Sequence, residues 1–148
     1  MPYDAGLIDR VFYVRWQAGL RGPGDLENII TNISNHRKSS PKPLVFLNVL
    51  TAEADVLGDP DPQAIDRFAV KVREFAEHTY VVVEGQGFKT AALRSRITSN
   101  WRRRQEQGFA TLHTSTEEAL KRIAADHALD EAALLRTARE RGLLGAHD

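Results

Sequence analysis

Two short stretches limit the fold more than anything else in this chain: PLVFLNVL at 43–50 and YVVVEG at 80–85. Each is apolar almost without a break, and each has the length of a strand rather than a helix. A strand with one face in water alternates polar and apolar residues. A strand without alternation needs cover on both faces, which is the usual situation in parallel sheets flanked by helices. VFYVRWQ at 11–17 is a further strand, rich in β-branched and aromatic residues, with Phe12, Val14 and Trp16 on one face.

Helical spacing fills the gaps. Leu26, Ile29, Ile30 and Ile33 predict a helix to about His36, with Asp25 as its N-cap. Ile65, Phe68, Ala69, Val72, Phe75 and Ala76 predict a second, from Pro62 to near His78, with Asp61 before it as cap. Leu93, Ile97 and Trp101 mark a third, from Phe88 to Gly108. FATLH at 109–113 is a short strand. Ser115 and Glu118 have capping-box spacing and open the helix STEEALKRIA. LDEAALLRTARERG is a last helix, which either caps the domain or docks on a second copy. Residues 2–8 are a weak hairpin partner for the 11–17 strand. The order predicts an α/β fold over residues 1–126, with a mostly parallel four- to five-stranded sheet and helices packed on it. A helical extension follows at 127–148.

Composition narrows the function. The 148 residues suit one domain with a real core. There is no cysteine, which removes disulfides, thiolate metal sites and cysteine nucleophiles. The opening MPYDAGLIDR is not a signal peptide, and no apolar run approaches the roughly 20 residues of a membrane span. The expected place is the cytoplasm, away from membranes.

The chemical motifs fail one by one. GQGFKT at 85–90 has Thr90 where a dinucleotide fingerprint needs its third glycine, and Phe88 where a P-loop needs glycine before the lysine. What survives is a strand-to-helix turn where Gly87, Lys89 and Thr90 could meet an anion. The plainer reading is that the glycines allow a tight turn. His36, His78, His113, His127 and His147 show no metal-ligand spacing, and His36 and His78 suit helix C-termini. Asn48, Thr51, Glu84 and Gln86 fall towards the carboxyl ends of the strands, where open α/β sheets place their sites. One carboxylate with amides is a thin constellation, so neither catalysis nor a cofactor is expected.

The element order, over about residues 5–124, resembles the STAS domain, the fold of anti-sigma-factor antagonists. FATLHTSTEEALKRI is similar to that family's closing strand, turn and helix. The resemblance implies a regulatory protein-binding module of bacterial signalling type. Many such domains are switched on a serine after the second long strand. This chain reads Thr51-Ala52-Glu53-Ala54-Asp55 there, which leaves Thr51 as the candidate phosphoacceptor.

RSRITSNWRRRQEQ at 94–107 holds five arginines. Laid on a helical wheel from Leu93, at about 100° per residue, Ile97 and Trp101 turn by about 40° and about 80° and define the core face. On the same wheel Arg94 falls at about 100°, Arg102 at about 180°, Arg103 at about 280°, Arg96 at about 300° and Arg104 at about 20°. The arginines encircle the helix instead of forming the stripe expected of a nucleic-acid reader. Arg96, Arg102 and Arg103 are placed outward, while Arg94 and Arg104 lay their stems along the core. The opposite charge lies at 53–66, with Glu53, Asp55, Asp59, Asp61 and Asp66, so a net charge of zero hides a polarised chain. The two segments could pair within the molecule, pair between copies or serve partners.

The expectation is a non-catalytic module that binds another protein or itself. Its surfaces are Arg96, Arg102 and Arg103 on one side and Glu53, Asp55 and Asp59 on the other. The alternative is a small-molecule or anion site, or a minor enzyme, at the strand ends around Glu84 and the GQG turn.

Overall fold

A computed structural model describes residues 3–17, 24–51, 62–106 and 108–144. The elements run β1 (Tyr3–Ile8), β2 (Val11–Trp16), α1 (Asp25–Lys38), β3 (Leu44–Leu50), α2 (Pro62–Val72), β4 (Ala76–Val83), α3 (Phe88–Arg104), β5 (Ala110–His113), α4 (Thr116–His127) and α5 (Glu131–Glu140). The five strands form one sheet in the order β1-β2-β3-β4-β5. β1 is antiparallel to β2, and all the other pairs are parallel.

This order decides where the helices go. A right-handed crossover that always steps to the next strand keeps its helix on one face of the sheet. Accordingly Ile29 and Ile33 of α1, Val72 of α2 and Trp101 of α3 share a core with Phe12, Phe46 and Val83. After β5 no further strand is added, and α4 and α5 cover the opposite face. There Leu120, Ile123, Leu134 and Leu143 pack on Val11, Leu47 and Val82. β3 divides its residues between the two cores, Leu44, Phe46 and Leu50 on one side and Val45, Leu47 and Val49 on the other. Its unbroken apolar run has this cause. α5 is continuous with the core: Leu134, Ala138, Leu143 and Leu144 are buried, and Arg141 donates to the Leu7 carbonyl at 2.8 Å.

Capping chemistry is visible at the ends. Ser115 Oγ accepts from the Glu118 amide at 3.1 Å, while the Glu118 carboxylate turns to Thr114 Oγ1 at 3.3 Å. Asp130 caps α5 by accepting from the Ala133 amide. α1 has Gly24 as its N-cap, and Asp25, predicted in that role, is the first helical residue.

Two boundaries differ from the periodicity. The helix predicted to reach His78 ends at Val72, and Ala76 to Thr79 belong to β4. Phe75 and Ala76 do continue the helical spacing. However, the Phe75 amide closes a turn on the Val72 carbonyl, and the Phe75 carbonyl accepts from Leu44. Ala76 and His78 then pair with Leu44 and Val45 across a bulge. Strand pairing overrides local periodicity, so His78 is a strand residue and meets no helix dipole. α3 ends at Arg104, before Gly108, through Gln105 in the left-handed region at φ 58°.

Candidate functional site

At the carboxyl ends of the strands the expected polar residues are mostly spent on structure. Thr51 is 5 % exposed, and its hydroxyl donates to the Trp16 carbonyl at 2.6 Å. Asn48 accepts from the Trp16 indole at 2.9 Å. Glu84 approaches Arg15 at 4.0 Å. In the GQG turn Gly85 and Gly87 have φ of 104° and 100°, a region that side chains resist. Gly87 is the N-cap of α3, Lys89 is exposed, and the Thr90 hydroxyl lies 3.4 Å from the Gln86 carbonyl.

α3 sorts its arginines by angle. Arg94 and Arg104 are half-buried, and Arg96, Arg102 and Arg103 are exposed. Arg94 donates to the Val83 carbonyl at 2.8 Å, pinning the helix to the end of β4. The acidic residues Glu53, Asp55, Asp59 and Asp61, and likewise His147, lie outside the described residues. Asp66 is on α2, where it accepts from Arg104 at 2.7 Å and from Arg103 at 3.0 Å. The Arg103 bond, foremost, and the Arg104 bond hold the Asp66 carboxyl below its ordinary range against the cost of burial. At this point the basic helix and the acidic segment pair within the molecule.

Sequence reasoning passed over Phe88. It is 91 % exposed at the start of α3. On the helical wheel it falls at about 220°, inside the arc of Arg102, Arg103 and Arg96. Ala92, Ser95 and Ser99 lie on the same arc and are exposed. The outward face of α3 therefore carries one aromatic, small residues and three arginines. A lone aromatic on a polar helix has no periodic signature, and only its exposure identifies it.

A cleft opens between α2 and α3 above β3, β4 and β5, with a volume of about 190 Å³. Phe46 and Val81 form its floor, Phe68 and Ala69 one wall, and Ile97 and Trp101 the other. Its polar end is an ion network. Glu106 is 3 % exposed, and its Oε2 accepts from Arg104 Nε at 3.0 Å and lies 2.9 Å from a second Arg104 nitrogen as an ion pair. Asp66 takes the remaining Arg104 amino group and one from Arg103. Glu106 is held by its backbone as well, through the Trp101 carbonyl on one side and Phe109 and Ala110 on the other.

The opposite face carries a second polar cluster, built around Tyr80. Its hydroxyl donates to Asp126 at 2.7 Å and lies 3.0 Å from His127 Nε2. His127 Nδ1 is 2.7 Å from Glu77, which also pairs with Arg10 at 3.0 Å. His78 and His113 both contact Thr111 Oγ1, at 3.3 and 2.9 Å. Burial, and then the charges of His127 and His113, push His78 below the ordinary imidazole range, and burial does the same to His113. Burial, and then the bond to Asp126, push the Tyr80 phenol up. For Glu77 burial works against the charge, but Arg10 and His127 bring the carboxyl below its usual value. The histidines come from three elements, and no spacing in the chain joins them. Among the described residues no group of His, Asp or Glu is arranged to hold a metal ion, and no helix is long and apolar enough to cross a membrane.

The chain matches no family model, no curated protein and no solved structure.

Proposed function

We propose that the chain is a non-catalytic, STAS-like regulatory module that captures a protein partner on the outward face of α3. The STAS-like reading is supported by the entry hairpin, the sequential strand order and the Ser115-capped closing helix. The functional reading is carried by one observation: Phe88 is exposed on the same arc as Arg96, Arg102 and Arg103. Aromatic and arginine side chains dominate binding energy at protein interfaces, and small residues between them let a partner approach. Exposed ion pairs contribute only about 0–1 kcal/mol each, so an outward arginine cluster is better explained by steering a partner than by stability. A partner with acidic residues around an apolar pocket fits this face. The acidic residues Glu53, Asp55 and Asp59 are the second half of the same proposal, and use of Thr51 as a phosphoacceptor would first require its buried hydroxyl to leave the Trp16 carbonyl.

The test is a nuclease-treated pull-down from native lysate, comparing wild type with the double variant Phe88→Ser, Arg102→Glu. Neither residue lines the cleft, and both are exposed, so the fold should be unchanged by circular dichroism. Loss of a polypeptide captured by wild type is the expected result. Identical captures reject the reading.

A further inference from the structure

One polar side chain interrupts an apolar surface. β3 presents Leu44, Phe46, Asn48 and Leu50 to the layer of α1, α2 and α3, and Asn48 is the exception among them. It is half-buried and lines the cleft between α2 and α3. Its amide has only one possible orientation. The Trp16 indole can donate but not accept, so the 2.9 Å bond takes the Asn48 oxygen and leaves the amino group to the cleft. Among the described residues that amino group meets no acceptor. Asn100, half-buried on α3, brings a second amide to the lining.

The ion network excludes charge. Asp66 and Glu106 face Arg103 and Arg104, two carboxylates against two guanidinium groups, at 2.7 to 3.0 Å. Arg96, which also lines the cleft, is engaged as well. A charged occupant must break one of these pairs or leave its own charge unpaired against apolar walls, and both are costly. An uncharged occupant does neither.

The walls set the size. The volume is about 190 Å³, and Phe68 faces Ile97 and Trp101 across it. An apolar cavity of roughly 150 Å³ accepts a benzene ring, so this one accommodates a ring, or a branched chain of similar bulk, with a short tail. Phe46, Thr79 and Ala110 stand at one level across the sheet, and Asn48 and Val81 stand two residues further along. That step is about 7 Å, within reach of a short tail from a ring lying on Phe46.

We infer that the α2–α3 cleft binds a small uncharged carbonyl compound, an amide or ketone with an aromatic or branched apolar body. The body lies between Phe68 and Trp101. The carbonyl oxygen accepts a hydrogen bond from the Asn48 amino group.

The test is two-dimensional amide NMR of the full chain, titrated with 3-phenylpropionamide, 4-phenyl-2-butanone and the charged counterpart 3-phenylpropionate. The expected result is a saturable shift of the Trp101 indole N–H and of the Ile97 and Phe68 amides with the two neutral probes. The carboxylate should bind at least about tenfold more weakly. Asn48→Asp keeps an acceptor for the Trp16 indole and removes the donor, and should weaken both neutral probes by about tenfold or more. Ala69→Phe, which fills the cleft, should abolish the shifts. The inference is overturned by the absence of a saturable shift with both neutral probes, or by a carboxylate that binds as tightly as they do. Unchanged affinity in a folded Asn48→Asp variant overturns it too, as do shifts that persist in a folded Ala69→Phe variant. The wild-type titrations decide by themselves if neither variant folds. These outcomes are independent of the pull-down with Phe88 and Arg102.

Discussion

Removing the Glu106 side chain is the sharpest probe of how α3 is anchored. Glu106 is 3 % exposed, and it meets Arg104 through one charge-assisted hydrogen bond at 3.0 Å and an ion-pair contact at 2.9 Å. Breaking a buried pair by deleting one partner costs about 3–5 kcal/mol when the survivor is stranded. Arg104 is not fully stranded in Glu106→Ala, because it keeps Asp66 at 2.7 Å, and the Asp66 side chain is 32 % exposed. The expected loss is therefore about 2–3 kcal/mol, just below that range. With a urea m-value of about 2 kcal/mol/M, the unfolding midpoint should fall by about 1–1.5 M. Glu74→Ala is the control. It breaks the Lys71–Glu74 pair at 3.4 Å, whose side chains are 56 and 53 % exposed, and should cost at most about 0.5 kcal/mol. Replacing both buried partners, Arg104→Met with Glu106→Leu, should recover most of the loss. Urea unfolding followed by tryptophan fluorescence measures all four proteins. A Glu106→Ala midpoint no lower than that of Glu74→Ala, at an unchanged m-value, would refute the reasoning.

Other positions make independent demands. A Cβ at Gly6 would lie 2.6 Å from the Tyr13 hydroxyl, and Tyr13 is 4 % exposed, so Gly6→Ala should cost about 1–3 kcal/mol and lower the melting temperature by several degrees; an unchanged melting curve counts against the β1–β2 register. Asp66, held below its ordinary value of 3.8, contributes stability above that value that is lost as pH falls through its lowered one. The stability deficit of Asp66→Asn should therefore be full at pH 6 and fade in strong acid, which urea midpoints across that range will show. His78 and His113 are held below their ordinary 6.5, so the unfolded chain takes up their protons first, and stability should drop as pH falls below 6.5. The paired variant His78→Gln, His113→Gln should flatten that drop, and an unchanged pH slope would contradict the burial of the two rings.

What the sequence made legible was what depends on neighbours along the chain. The unbroken LVFLNVL run announced a strand covered on both faces, and β3 does divide its side chains between two cores. The Ser115 and Glu118 spacing located the start of α4 because a cap is a local device. The helical wheel separated Arg94 and Arg104 from the exposed Arg96, Arg102 and Arg103 because burial on a helix follows angle. What depends on partners far along the chain stayed hidden. Phe75 and Ala76 keep helical spacing, yet the bonds they make to β3 leave Phe75 in a turn and Ala76 in a strand. Asp66 meets Arg103 and Arg104 across 37 and 38 residues. The cleft those residues close, and the cluster of Tyr80 with His78, His113 and His127, exist only once the layers are stacked.

The partner-capturing face of α3 is tested most directly by a photoreactive residue placed at Phe88, Ser95 or Arg102 in living cells. The same residue at Glu140, exposed on α5 in the opposite layer, is the comparison. The account predicts one discrete cross-linked polypeptide from the three α3 positions and none from position 140. An empty lane from all three α3 positions, or the same products from position 140, would contradict it.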